Sequence, residues 1–191
     1  MSKVVWKGGT LLSPVPPVMV SCGDMEKSNI ITIAWTGIIN SNPPKTYISI
    51  RPQRHSFNII KDTKEYVINL TPANLVKEAD YCGIYTGAKV DKFEKCKLTK
   101  GKGNTVSCPV IEECPMSLEC KVTDIVELGS HHMFIADITA INVDEDLIGE
   151  DGKLHLEKAK LTAFAHGEYF ELGKKIGTFG FSVKKKKKKK Q

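Results

Sequence analysis

The sequence predicts a mainly β fold with accessory helices, arranged as a closed or partly closed antiparallel barrel. Three observations lead there. About six short runs rich in Ile, Val, Thr, Tyr and Phe are separated by turn-forming clusters. Only one or two modest helical patterns lie between them, too few for the regular alternation of a doubly wound sheet. No phosphate loop or glycine fingerprint stands between a strand and a helix. Short strands that must hide their edges are best satisfied by curling on themselves.

The elements follow in order. Thr10–Pro17 holds three prolines and should run extended into a strand over Val18–Cys22, which Gly23-Asp24 turns back. Two β-rich runs come next, Asn29–Ile39 and Thr46–Ile50, joined by the turn-like Asn40-Ser41-Asn42-Pro43-Pro44. Ser56 is placed to cap a short helix over Phe57–Lys61, because its hydroxyl can accept an orphan backbone N–H. Glu65–Leu70 alternates as a strand. A helix is expected from Pro72 or Ala73 to Tyr81 or Cys82, with Leu75, Val76 and Ala79 on one face. Asp91-Lys92-Phe93 opens a short helical piece, with Asp91 suited to cap it, and Leu98–Cys108 reads as an exposed loop. Ser117–Glu127 and His132–Asn142 form a hairpin across Gly129-Ser130. Lys153–Leu156 reads as extended and Leu161–Ala165 as a short strand. Tyr169, Leu172 and Ile176 repeat at helical spacing, interrupted by Gly173.

A chain of 191 residues with 41% hydrophobic and 26% charged residues can bury one substantial core. We read residues 1–183 as a single domain and residues 184–191 as a disordered lysine tail. The tail decides the formal charge of +6: without the seven lysines Lys184–Lys190, 21 basic residues face 22 acidic ones. The body therefore carries no basic footprint for nucleic acid, and the tail reads first as a solvated end. No run reaches the roughly 18 apolar residues of a membrane span, and MSKVVWKGG lacks the apolar core of a secretory signal. A cytoplasmic protein without membrane attachment is expected. Cys22, Cys82, Cys96, Cys108, Cys114 and Cys120 contain no CxxC spacing. They read as reduced, mostly buried thiols, and no metal site is expected.

Chemistry concentrates after the second β-rich run, where Arg51, Arg54, His55 and Ser56 supply donors for an anion. Free N–H groups at a helix start there would favour the same anion. A solvated charge cluster on a turn is the plainer alternative.

The segments SNIITIAWTGIINSNPPKTYISIRPQRHS, YVINL, YCG…TG…DKF, ELGSHHMFIADI, EDGKLH and GEYFELG resemble, in order and spacing, the flavin reductase-like, FMN-binding split-barrel family, especially its flavoredoxin-like branch. The resemblance spans most of the chain after the first ten residues. It implies a split β-barrel, a homodimer, and non-covalent FMN near the subunit interface. Asn29, Ala34, Trp35 and Thr36 resemble residues beside the isoalloxazine ring, although Trp35 equally suits a core aromatic. Ser49, Arg51, His55 and Ser56 resemble the phosphate-side set, with Arg54 turned elsewhere or into solvent. Cys82 and Gly83 resemble a segment passing close to the cofactor, with Cys82 read as a packing thiol rather than a redox nucleophile. Thr86 and Lys92 resemble phosphate or ribityl contacts. Of His131 and His132, adjacent and therefore facing opposite ways on a strand, His132 is chosen as substrate-facing; an interface or surface role suits either equally.

The resemblance implies an FMN-dependent oxidoreductase or electron-transfer flavoprotein, with NADH or NADPH as a transient electron donor and a flavin, redox protein or small molecule as acceptor. No side chain is assigned a catalytic role, since the flavin carries the chemistry. Two alternatives stand beside it: a non-enzymatic FMN carrier or storage protein, and a nucleic-acid-binding or scaffolding barrel driven by the lysine tail.

Overall fold

Val18–Gly23 (β1) and Ser28–Ile33 (β2) pair antiparallel around a tight turn in a computed structural model, which describes residues 1–183. The turn forms because the Asp24 carboxylate accepts from the backbone N–H groups of Glu26 (2.9 Å) and Lys27 (2.6 Å). Gly23 takes φ +92°, where a Cβ would sit 2.1 Å from the Lys27 carbonyl oxygen.

The remaining elements are Thr36–Ser41 (β3), Pro44–Ile50 (β4), the helix His55–Thr63 (α1), Glu65–Asn69 (β5), Val76–Ile84 (α2) and Lys92–Cys96 (α3). Two short strands follow, Lys100–Gly101 (β6) and Val110–Ile111 (β7), then the long Met116–Glu127 (β8) and His132–Val143 (β9). Thr162–Ala165 (β10) and Glu168–Glu171 (β11) close the series. Seven strands form one antiparallel sheet in the order β2-β1-β5-β8-β9-β4-β3.

The run read as a single strand, Asn29–Ile39, is two strands parted by Ala34–Trp35. This link also explains the curl. β2 and β3 are the two ends of the sheet, yet only two residues separate them in the chain. No ladder joins them; the Ser49 N–H of β4 donates to the Trp35 carbonyl at 3.0 Å, which carries the β3–β4 pairing one residue into the link. The barrel is thus an open one, a mainly β sheet bent until its ends meet at a link.

Inside the curl lies the main core, with Val20, Ile31, Ile48, Ile50, Tyr66 and Phe134 buried. α1 covers one mouth through Phe57 and Ile60. A second cluster packs α2 and α3 on the outer face of β1 and β2, through Met19, Ile30, Ala79, Cys82 and Phe93. That second layer buries the outer face of β1, while Val106 and Cys108 cover Val67 on the outer face of β5, so both strands are buried on two faces rather than alternating.

Several expectations are corrected. Ser56 does not cap α1; Arg54 is the N-cap, with no side-chain bond to the helix, and Ser56 lies buried in the first turn. Leu98–Cys108 is not an exposed loop, because Leu98, Gly101, Val106 and Cys108 are buried. It is held by Glu119, whose oxygens accept from the Asn104 N–H (2.8 Å), Asn104 Nδ2 (3.0 Å) and Asn142 Nδ2 (2.8 Å), and from the Thr105 N–H (2.6 Å) and hydroxyl (2.7 Å). Tyr169–Ile176 is not helical: β11 pairs with β10 across a turn where His166 and Gly167 both have positive φ. Asp91 does cap α3, accepting from the Glu94 N–H at 3.1 Å. The expectations for Lys184–Lys190 fall outside the described residues. Among the described residues no helix is long and apolar enough to cross a membrane.

Candidate functional site

β2 ends the sheet, so one of its edges is unpaired with any strand. The Ile30 carbonyl faces that edge, since it accepts from Lys92 Nζ. Backbone direction alternates along a strand, which places the Thr32 N–H and carbonyl on the same open side. Two adjoining cavities run along it and share Ile31 and Arg54 as a common wall.

The wider cavity, about 260 Å³, is lined by residues 31–35, by Ser49, Ile50 and Arg51, and by Arg54 and His131. Trp35 is 41% exposed there, its ring centroid 4.6 Å from that of His131 with planes tilted by 36°. Arg51 Nε lies 3.4 Å from His131 Nε2, and Ser130 Oγ lies 2.9 Å from Nδ1. Burial and then the Arg51 charge hold the His131 pKa below the ordinary imidazole value.

The narrower cavity, about 100 Å³, sits at the start of α1 between Asn29, residues 53–56, residues 85–87 and Lys92. Because no side chain caps α1, its first amides are available to an anion. Asn29 Nδ2 donates to Ser56 Oγ at 2.7 Å, fixing both buried side chains. Gly87 passes so close that a Cβ there would fall 2.1 Å from Asn29 Oδ1. Arg54 donates through Nη2 to the Gly83 carbonyl, which turns its guanidinium into the molecule rather than into solvent.

Lys92 is only 3% exposed. Its Nζ donates to the carbonyls of Ile30 (2.6 Å) and Cys82 (2.8 Å). Burial lowers its pKa, and the neighbouring Arg54 charge adds to the effect. Among the described residues no carboxylate forms an ion pair with Arg51, Arg54 or Lys92. A buried cation without a counter-charge is costly, and an anion bound beside Lys92 would relieve it.

The structure thus brings Ala34, Trp35, Ser49 and Arg51 to the wider cavity, and Asn29, His55, Ser56, Thr86 and Lys92 to the narrower one. It leaves four candidates outside both. The Thr36 hydroxyl donates to the Tyr47 carbonyl at 2.6 Å, and Thr36 lines a third depression of about 270 Å³ with Leu12, Val15, Ala34, Trp35 and Tyr47. Cys82 is fully buried and offers its carbonyl to Lys92, not its thiol to a cavity. Gly83 contributes the carbonyl that orients Arg54. His132 packs edge-on against Phe57 at 4.9 Å, and His131 takes the cavity position. Gly87 is the site residue the sequence does not single out; Arg54, named as an anion donor but turned away from the phosphate set, and His131, passed over for His132, both line the cavities.

Five of the six thiols are buried, Cys96 being the exception. Burial pushes Cys82 up to about 12 and Cys22 up to about 11, and raises Cys108, Cys114 and Cys120 as well. Among the described residues no group of three His, Cys, Asp or Glu is placed to hold a metal ion.

A sequence model of the flavin reductase like domain matches residues 11–173. An uncharacterized protein of Archaeoglobus fulgidus is 32% identical over 142 residues, covering 74% of this chain and 78% of its own. The solved flavoredoxin of Desulfovibrio vulgaris (Miyazaki F) is 31% identical with a TM-score of 0.89, covering 96% of this chain and 100% of its own. Nitrilotriacetate monooxygenase component B from Bacillus cereus, at 21% identity, shares the fold with a TM-score of 0.79 over 87% of this chain and 88% of its own.

Proposed function

This chain belongs to the flavin reductase-like domain family, and from that premise we propose that it is an FMN-binding oxidoreductase of the flavoredoxin-like branch. One observation carries the reading. A cationic pocket without a carboxylate adjoins an aromatic chamber across Ile31 and Arg54, so one ligand with an anionic end and a flat ring suits both.

The residues fit such a group. Lys92, Arg54, the Ser56 and Thr86 hydroxyls and the first amides of α1 are the donors for a phosphate. Ala34, Trp35 and His131, with the open-edge backbone of Thr32, offer a flat apolar wall and a polar margin for a ring. The chemistry FMN supplies when bound is acceptance of hydride from NADH or NADPH and delivery of electrons to a flavin, a redox protein or a small acceptor. The protein's part is to hold, orient and shield. His131, kept neutral by burial and Arg51, presents a polar edge to the ring chamber without a second fixed charge.

The proposed assembly is a homodimer. Ile38 and Ile39 on the end strand β3 and Leu128 at the β8–β9 turn are exposed apolar side chains that a second copy would cover.

The test is an absorption spectrum after FMN reconstitution and desalting, followed anaerobically by NADH and then NADPH. Retained flavin bands bleached by either nucleotide are expected. Retained bands that resist both would make the protein a carrier, and failure to retain FMN would overturn the reading.

A further inference from the structure

β2 has a second neighbour of opposite polarity. Thr32 and Ala34, which line the wider cavity, also line a separate depression of about 330 Å³ between α2 and the β10–β11 hairpin. Its remaining wall includes Asp80, Gly83, Phe164, Gly167 and Tyr169. Phe164 and Tyr169 meet edge-to-face, with centroids 5.0 Å apart. The Tyr169 hydroxyl donates to Asp80 Oδ1 at 3.1 Å, and Asp80 Oδ2 has no partner among the described residues.

The walls are tied in place. Val15 and Phe164 exchange two backbone hydrogen bonds, of 2.9 and 2.7 Å. Thr162 donates to the Thr71 carbonyl through its N–H at 3.1 Å and its hydroxyl at 3.0 Å. The aromatic pair therefore stands on a hairpin anchored along the outer edge of β10.

We propose that this depression is a second ligand subsite, taking a planar ring whose substituent is cationic or a neutral hydrogen-bond donor. The volume suits one small ring, two aromatic side chains offer edge and face contacts, and the sole ionisable groups in the lining are the Asp80 carboxylate and the Tyr169 phenol. Tyr169, whose pKa rises to about 12 through burial and then the Asp80 charge, stays protonated and keeps its donor on Oδ1. The second oxygen is left to receive a ligand's N–H. An anionic ring would meet Asp80 with no compensating cation. Across Ala34 the arginines select the reverse, so a single strand edge separates an anion-accepting chamber from a donor-accepting one. The inference rests on this cavity and its charges, not on the identity of the ligand in the neighbouring groove.

Three probes of one shape separate the outcomes: benzamidine, benzamide and benzoate, titrated into the full chain with backbone amides followed by NMR. Benzamidine is expected to bind about tenfold more tightly than benzoate, as a charged hydrogen-bonded partner does. Benzamide should fall between, with shifts centred on residues 162–171. Asp80→Asn should shrink the benzamidine preference to about twofold, because only the charge is lost. Tyr169→Phe keeps the ring and should retain most of the binding. Equal binding of benzoate and benzamidine, an unchanged preference in Asp80→Asn, or shifts centred elsewhere would overturn the proposal. Repeating the titration with and without FMN keeps the two readings apart, since loss of FMN binding would leave these probe affinities standing.

Discussion

Lys92 sets its ammonium 2.6 Å from the carbonyl oxygen of Ile30, 62 residues earlier in the chain. With the Cys82 carbonyl as its second acceptor, the side chain is fixed at the narrow end of the groove with a third N–H to spare. Lys92→Met should therefore lower FMN affinity by about tenfold or more while affecting riboflavin much less. Parallel fluorescence titrations with the two flavins check this; equal losses would remove Lys92 from the phosphate end.

Arg54 and Arg51 should separate in the same assay. Arg54 belongs to both cavities, whereas Arg51 lines only the wider one beside His131. Arg54→Ala is expected to cost FMN about tenfold more than riboflavin, the scale of a lost charge-assisted bond. Arg51→Ala should weaken both flavins alike. The reverse pattern would exchange their roles.

The Trp35–His131 contact gives a spectroscopic handle. In a Trp6→Phe background the remaining indole is Trp35. Protonated imidazole quenches a neighbouring indole, so emission should fall on acidification. Because the His131 pKa is lowered, the midpoint should lie below the ordinary value of about 6.5. Arg51→Ala should move it upward, and His131→Asn should abolish the transition.

Glu119 predicts an acid-sensitive stability. Burial alone would raise its pKa, yet the bonds from Asn104, Asn142 and Thr105 outweigh it and bring the carboxyl from 4.5 down to about 2. A folded value below the unfolded one gives stability that is present above about pH 4.5 and lost as pH falls toward 2. Glu119→Gln should lower the unfolding free energy by about 3 kcal/mol at pH 7. Urea denaturation against pH should show that difference closing by about pH 2. A gap that stays constant with pH would contradict the account.

Much of this was legible because local chemistry and tertiary fold agree. Gly23-Asp24, Gly129-Ser130 and Asp91 mark turns and a cap whose bonds the structure contains. The break at Ala34–Trp35 was not legible: neither residue is a turn former, and the strand parts because the sheet's two ends must meet there. His131 escaped strand parity since it lies in the turn, where the Leu128 N–H donates to its carbonyl. The inward turn of Arg54 is not legible, because the Gly83 carbonyl that draws it in is 29 residues away, beyond any local pattern. Tyr169, Leu172 and Ile176 imitate a helix, but Gly167 and His166 at positive φ make a hairpin instead.

Ala34 stands in the wall of three separate cavities: the wide chamber, the β10–β11 depression and the hollow behind Leu12. An occupant of one hollow is therefore separated from an occupant of the next by a single methyl-bearing residue. Whatever factor a guest in one hollow imposes on a guest in another through this shared wall, the second guest returns to the first. The two-residue link that joins the ends of the sheet is thus also the place through which any such reciprocity would have to pass.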